Sequence, residues 1–309
     1  MNVLQAFFKL IRWPNLFFIA LTQILFRFFI LRFVFTNSPS GYENAKLSLP
    51  LFFLLVFASV CIAAAGYIIN DYFDVNIDLV NKPAKLIVDR YIKRRWAIVL
   101  HVIFSFTGFI ISCYIGYMLG NSYIPFFNLL AIISLWFYST TFKKKLLVGN
   151  ILISLLTAWV ILVLTVSEFK LHITPNDVYW QRLLKLSFIY AGFAFIISLI
   201  REVIKDMEDM RGDIRYGCTT MPIVWGLQVS KVFVAVWIVV ITLSIAAMQF
   251  YVIHLGWWFS ALYALIAIII PLMWVLRKLY QAHTQQDFHK LSTTVKFIML
   301  AGIVSMIFF

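Results

Sequence analysis

Runs of about 20 predominantly apolar residues, the length that carries a helix across the hydrocarbon core of a bilayer, recur along this chain. They fall at about 14–35, 48–70, 96–118, 123–142, 147–167, 183–204, 228–250, 256–276 and 292–309. Lipid offers no hydrogen-bond partner to a bare N–H or C=O, so such runs must satisfy their own backbone and read as helices. Hydrophobic residues make up 63% of the chain, against about 45–50% in soluble proteins. The expected fold is all-α and polytopic, with nine transmembrane helices around a central cavity and residues 1–309 as a single membrane-embedded domain. The opening MNVLQAFFKLIRWPN is short, amphipathic and basic. It lacks a small-residue cleavage site before the first long span, so it reads as a retained interfacial segment rather than a signal peptide.

An odd number of spans puts the two ends of the chain on opposite sides of the membrane. With the N-terminus inside, 20 of the 26 basic residues lie in segments on that side, leaving only Arg27, Arg32, Lys46, Lys170, Arg182 and Lys185 elsewhere. The excess of Lys and Arg in cytoplasmic loops favours this orientation. It also accounts for the net charge of +13 without a nucleic-acid partner. Cys61, Cys113 and Cys218 show neither metal-ligand spacing nor a readable pairing.

Acidic residues are scarce, and their distribution is uneven. Nine of the 13 fall in two short stretches: Asp71, Asp74, Asp78 and Asp89 in the loop expected after span 2, and Glu202, Asp206, Glu208, Asp209 and Asp213 in the loop expected after span 6. Asp71, Asp74 and Asp78 run i, i+3, i+7, and Asp206, Asp209 and Asp213 repeat the pattern, which puts each trio along one face of a helix. This pseudo-repeat suggests two carboxylate faces on the cytoplasmic side. Carboxylates gathered at a membrane edge repel one another and are costly to desolvate unless paired or bound to cations. Mg²⁺ suits such a site, since it takes oxygen ligands and is typically held by one or two carboxylates together with substrate phosphates. Asn70, one turn before Asp74, adds a neutral oxygen.

Cations flank both trios, among them Lys82, Lys85, Arg90 and Lys93–Arg95, then Lys143–Lys145, then Arg201, Lys205, Arg211 and Arg215. Acids and cations on one membrane face fit a polyanion such as diphosphate, held by Mg²⁺ and basic side chains together. Aromatic residues, 18% of the chain, supply a membrane belt and ring faces able to stabilise a cation beside an apolar tail. Two other classes fit less well. A transporter of isoprenoids or diphosphate would place its polar residues at broken helices in the midplane. A channel would want acidic rings without the basic set.

These residues resemble the UbiA-type intramembrane prenyltransferases. NDYFDVNID, Asn70 to Asp78, is similar to that family's NDxxDxxxD signature, and KDMEDMRGD, Lys205 to Asp213, to its second, KDxxDxxGD. IRWPN and YSTTFKKKLLVGN resemble its entry to the first helix and the segment after the fourth. The detail looks most like the branch of geranylgeranylglyceryl phosphate geranylgeranyltransferases, then like the chlorophyll and quinone prenyltransferases. One departure is NKPAKLIVDRY, which carries Lys85-Leu86 where many members have Arg-Pro; lysine supplies charge there without a bidentate fork.

The resemblance implies Mg²⁺-dependent transfer of a polyprenyl group from an isoprenyl diphosphate donor to a lipophilic acceptor, either a glycerol phosphate lipid or an aromatic acid such as 4-hydroxybenzoate or a dihydroxynaphthoate. An intramembrane terpene cyclase would share donor and metals but need no acceptor. Asn70, Asp71 and Asp74 are the implied ligands of one metal and Asp206 and Asp209 of the other, with Asp78 and Asp213 as ligands or as groups that orient them. Lys143, Lys205 and Arg201 are implied to contact the diphosphate, and Lys85 and Arg211 are weaker candidates. Tyr138 would orient the diphosphate or stabilise the allylic cation, and Asn15 would help position the acceptor. The bilayer is the expected surrounding, with no obligate protein partner.

Overall fold

The computed structural model describes residues 2–36, 46–81, 83, 86–169 and 178–309. Among these residues every regular element is helical, with no β-strand and one isolated bridge between Val88 and Ile92. A short helix α1 (Val3–Leu10) precedes nine helices long and apolar enough to cross a membrane: α2 (Trp13–Thr36), α3 (Leu49–Asn81), α4 (Arg94–Leu119), α5 (Tyr123–Thr140), α6 (Val148–Ser167), α7 (Val178–Arg215), α8 (Gly226–His254), α9 (Trp258–Gln281) and α10 (Gln285–Phe308). The chain is therefore a multi-pass membrane protein of the expected class. Asn2 caps α1 by accepting from Gln5 N, and the Gln5 side chain accepts from the Asn2 N–H in return, a reciprocal box that ties the start of this basic, amphipathic turn.

Two helices overrun the expected span ends, and both carry the acids. Helix α3 continues past residue 70 to Asn81, so Asp71, Asp74 and Asp78 are helical and not in a loop. Hydropathy falls at Asn70, yet no Gly or Pro interrupts the backbone before Pro83, so nothing breaks the helical hydrogen-bond ladder at the point where apolar character ends. Helix α7 likewise runs through Asp206, Asp209 and Asp213 to Arg215. Gly217 stops it at φ +67, in the left-handed turn that glycine favours, where the Cys218 N–H donates to the Asp213 carbonyl at 2.9 Å. In α9, a widened π turn at Leu265–Ile269 lies just before Pro271, with the Ile270 N–H donating to the Leu265 carbonyl.

The chain divides into two compact units, Met1–Lys143 with Trp159–Phe188, and Lys144–Ala158 with Ile189–Phe309. In the first, Leu10, Ile11, Leu16, Ile68, Val75, Val88 and Ala97 form a buried cluster that packs α1 and the loop after α3 against the polar end of α3. Deeper in this unit, Asn128 donates to Ser112 Oγ at 2.8 Å and accepts from Trp159 Nε1 at 2.9 Å, joining α4, α5 and α6; side-chain bonds of this kind link helices where apolar contact gives no preference over lipid. In the second unit, Ile200, Val203, Ile204 and Met207 of α7 pack with Val234, Ile238, Leu272, Val275, Leu291 and Val295.

Helices α3 and α4 approach closely at Gly108, where an added Cβ would lie 2.7 Å from Ile62 Cγ1 and 3.1 Å from the Ala58 carbonyl oxygen. The oxygen belongs to a helix backbone and cannot swing away. Gly108→Val is expected to destabilise the folded protein by about 1–3 kcal/mol, read as a thermal midpoint several degrees lower in detergent; an unchanged midpoint would mean the helices separate freely there.

Candidate active site

In the first unit the NDYFDVNID segment forms the last three turns of α3. Helical spacing stacks Asn70 under Asp74, and Asn70 Nδ2 donates to Asp74 Oδ2 at 2.7 Å. The other oxygen of Asp74 accepts from Lys143 Nζ, the first lysine after the Phe142 turn that follows α5. The Lys143 side chain is only 9% exposed and that of Asp74 16%. Asp71 Oδ1 accepts from Arg12 Nη2 at 2.6 Å. Arg12 connects α1 to α2 with φ +51, a left-handed conformation unusual for a residue with a Cβ, and its guanidinium lies 5.2 Å from the centre of the Tyr67 ring. The Asp71 charge holds that guanidinium still more firmly protonated than usual. Two carboxylates one turn apart are thereby each matched to a cation.

In the second unit the corresponding stretch is the end of α7. Asp206 Oδ2 accepts from Asn150 Nδ2, near the start of α6, at 2.8 Å. Arg201 Nη1 and Lys205 Nζ both donate to the buried Glu202, at 2.9 and 3.0 Å. Glu208 is also buried, but it points to the protein: its Oε1 is 2.9 Å from His289 Nδ1, and its Oε2 accepts from Ser292 Oγ at 3.3 Å. The loop that carries the lysine run is fixed as well, since the Lys144 carbonyl accepts from both the N–H and the hydroxyl of Thr219.

The sequence-derived residues thus separate into groups. Asn70, Asp71, Asp74 and Lys143 come together in one unit, and Asp206, Arg201 and Lys205 lie within two turns of one helix in the other, the two cations meeting on Glu202. Asp78 and Asp213 are half-buried further along α3 and α7, and Asp209 is half-buried on α7. Tyr138 is half-buried near the end of α5, Asn15 is half-buried in the first turn of α2 with its N–H donating to the Arg12 carbonyl, and Arg211 is exposed. Lys85 lies outside the described residues. Sequence reasoning gives Arg12 and Asn150 no role, and counts Glu202 only as one more acid of the second stretch. Arg12 and Asn150 stand inside the quoted IRWPN and LLVGN segments, so the signal was present without a partner to give it a role.

The residues fit a hard divalent cation. Asn70 Oδ1 is buried, and no described residue donates to it. A buried acceptor left so costs roughly 1–3 kcal/mol, whereas a cation within reach of Oδ1 would satisfy it. Among the described residues no three His, Cys, Asp or Glu side chains form a ready-made cage. Mg²⁺ is commonly held by one or two carboxylates together with water and the substrate's own phosphates.

Comparison with known proteins gives the same direction. Residues 41–300 match the model of the UbiA prenyltransferase family. The digeranylgeranylglyceryl phosphate synthase of Methanothermobacter thermautotrophicus is 32% identical over 218 residues, covering 68% of each chain. Among solved structures, one of digeranylgeranylglyceryl phosphate synthase superposes with a TM-score of 0.62 at 24% identity over 99% of both chains. A UbiA homolog from Archaeoglobus fulgidus bound to GPP and Mg²⁺ superposes with a TM-score of 0.57 at 14% identity, over 97% of this chain and 99% of that one. These two likenesses bear on the fold, and the match along the sequence carries the assignment: the chain belongs to the UbiA prenyltransferase family.

Proposed function

We propose that this prenyltransferase moves a polyprenyl group from an isoprenyl diphosphate, of geranylgeranyl type, to the free hydroxyl of geranylgeranylglyceryl phosphate, with residues 1–309 acting as one catalytic domain. The observation that carries the proposal is the Asn70–Asp74–Lys143 cluster, a carboxylate held by an amide on one side and an ammonium on the other, next to a buried acceptor. The name of the 32% identical relative supports the choice of acceptor.

Asn70, Asp71 and Asp74 would hold Mg²⁺ in one unit and Asp206 and Asp209 in the other. When bound, the metal supplies positive charge that neutralises the diphosphate as its bond to the prenyl carbon breaks. The remaining work belongs to the chain. Asn70 and Lys143 fix Asp74 in one orientation, and Arg12 does so for Asp71, so the carboxylates need not reorganise when the anion arrives. Lys143, bonded to Asp74, would share its ammonium between that carboxylate and an incoming phosphate oxygen. Arg201 and Lys205, parked on Glu202, are a second such reserve. The prenyl tail lies among apolar and aromatic side chains that keep water from the allylic carbon, and Tyr138 offers a ring face near it. The acceptor hydroxyl oxygen bonds to that carbon, the diphosphate leaves with the electron pair of the old C–O bond, and the hydroxyl proton passes to solvent. Asn15 positions the acceptor. The distribution of Lys and Arg supports a cytoplasmic placement of the acidic helix ends and the N-terminus in a cell membrane.

An acceptor screen tests the reading. Purified protein with Mg²⁺ and radiolabelled geranylgeranyl diphosphate is given geranylgeranylglyceryl phosphate, 4-hydroxybenzoate, a dihydroxynaphthoate or no acceptor. EDTA-sensitive transfer to the glycerol lipid is expected. Transfer only to an aromatic acid would move the protein to quinone synthesis, and diphosphate release into a cyclic hydrocarbon without acceptor would make it a cyclase. In the same assay Lys143→Ala is expected to raise the donor KM or lower the donor-saturated rate by about 10–100-fold, with the acceptor KM little changed. Unaltered donor kinetics would remove Lys143 from the diphosphate site.

A further inference from the structure

A groove of about 420 Å³ opens in the first unit between α1 and the start of α4, and none of its lining residues is one of the acids of α3. Val3, Phe7, Ile92, Trp96 and Leu100 give it an apolar floor and walls, and Lys93 and Arg95 stand among them. The three consecutive cations here are not equivalent. Arg94 is held by Asp89, with Nε to Oδ2 at 2.5 Å, whereas among the described residues no carboxylate pairs with Lys93 or Arg95, and both are exposed. Tyr91 also lines the groove, and Arg90 lies 5.5 Å from the centre of its ring, adding a third cation near the rim.

Lys93 is also the N-cap of α4. It makes no side-chain cap, and the first turn contains no acidic residue. The leading N–H groups and the positive end of the helix dipole therefore add to the charge of the two side chains. Trp96 and Tyr91, partly exposed beside them, are the residue types that settle at headgroup depth in a bilayer. Helix α1, amphipathic and with Lys9 in its last turn, lies along the other wall. Cations at the mouth and an apolar slot behind match a molecule with a phosphate head and a hydrocarbon chain.

We propose that this groove holds an anionic phospholipid of the surrounding bilayer, its phosphate on Lys93 and Arg95 and one chain against Phe7, Trp96 and Leu100. Charge complementarity selects the occupant: a zwitterionic lipid would bring its own ammonium to a mouth already positive, and a free phosphate would leave the apolar walls uncovered. The proposal gives this lipid no part in the transfer reaction, and its failure would leave the proposed reaction untouched.

The test is native mass spectrometry of the full chain, delipidated in neutral detergent and titrated with phosphatidylglycerol, phosphatidylcholine or inorganic phosphate. Wild-type protein is expected to retain the first phosphatidylglycerol about tenfold more tightly than phosphatidylcholine, and inorganic phosphate should not displace it. The double variant Lys93→Gln/Arg95→Gln should lose that preference, and Arg94→Gln should keep it. Trp96→Gln, which leaves the cations in place, should weaken retention of both lipids. A double variant that keeps the preference, equal retention of the two lipids by the wild type, or displacement by phosphate alone would each overturn the proposal. The thermal midpoints of all variants in detergent alone check that they remain folded.

Discussion

Asp74→Ala is expected to lower prenyl transfer at least about 100-fold, a loss of about 2.7 kcal/mol of transition-state stabilisation, while the protein remains folded in detergent. The wild-type side chain accepts from Asn70 Nδ2 and Lys143 Nζ, so its removal strips a metal ligand and releases both groups that frame it. Helix α3 is packed along its length by Phe52, Leu55, Ala58, Ile62, Ala65 and Ile68, none of which touches the question of charge at Asp74, and that packing holds the fold. Two further readouts separate a metal role from a mere anchor for Lys143. Asp74→Asn keeps the shape and an oxygen but loses the charge, and it should remain severely impaired. The residual rate of either variant should need more Mg²⁺ to reach its maximum. Near wild-type turnover in Asp74→Asn would mean that the carboxylate only positions Lys143.

Asp206→Ala is expected to have an effect of the same size, at least about 100-fold. Its Oδ2 accepts from Asn150 at 2.8 Å, and Arg201 and Lys205 are occupied with Glu202. Asp206 thus takes this hydrogen bond from a neutral amide, and its carboxylate is the one proposed to meet a metal. Asn150→Ala removes the donor and keeps the charge, and a loss of about 10–100-fold is expected from the less fixed carboxylate, with maximal rate recovered in part at raised Mg²⁺. If Asp206→Ala retains most of its activity, the α7 acids are not metal ligands, and the repeat in the sequence has a structural meaning only.

Much of this arrangement can be read from the chain itself. The nine spans follow from hydropathy, because a bilayer leaves so few alternatives to an apolar helix. The two acidic trios follow from the 3.6-residue period, and the structure carries both on helices as that period requires. Hydropathy alone misplaces the helix ends, since it registers where lipid ends rather than where the backbone stops hydrogen bonding. Asn70 to Asn81 is polar but contains no breaker, and the helix continues.

The partners of the acids are a different matter. Arg12 meets Asp71 across 59 residues, Lys143 meets Asp74 across 69, and Asn150 meets Asp206 across 56. No local period encodes such pairings; they arise from how the helices pack. Lys143 was legible as a phosphate-seeking cation at a span end, but its bond to Asp74 was not. Glu202 and Glu208 illustrate the reverse error of counting charges. They belong to the acidic stretch by position, yet one binds Arg201 and Lys205 and the other meets His289 and Ser292, so neither adds to the free acidity of the helix end.

The most direct test of the metal-assisted account is the binding of an unreactive donor, geranylgeranyl S-thiolodiphosphate, to purified protein by calorimetry with Mg²⁺ and with EDTA. Tight binding that requires Mg²⁺ in the wild type, and that is lost in both Asp74→Ala and Asp206→Ala, is the predicted result. Equal affinity in EDTA, or full Mg²⁺-dependent affinity in either variant, would contradict it.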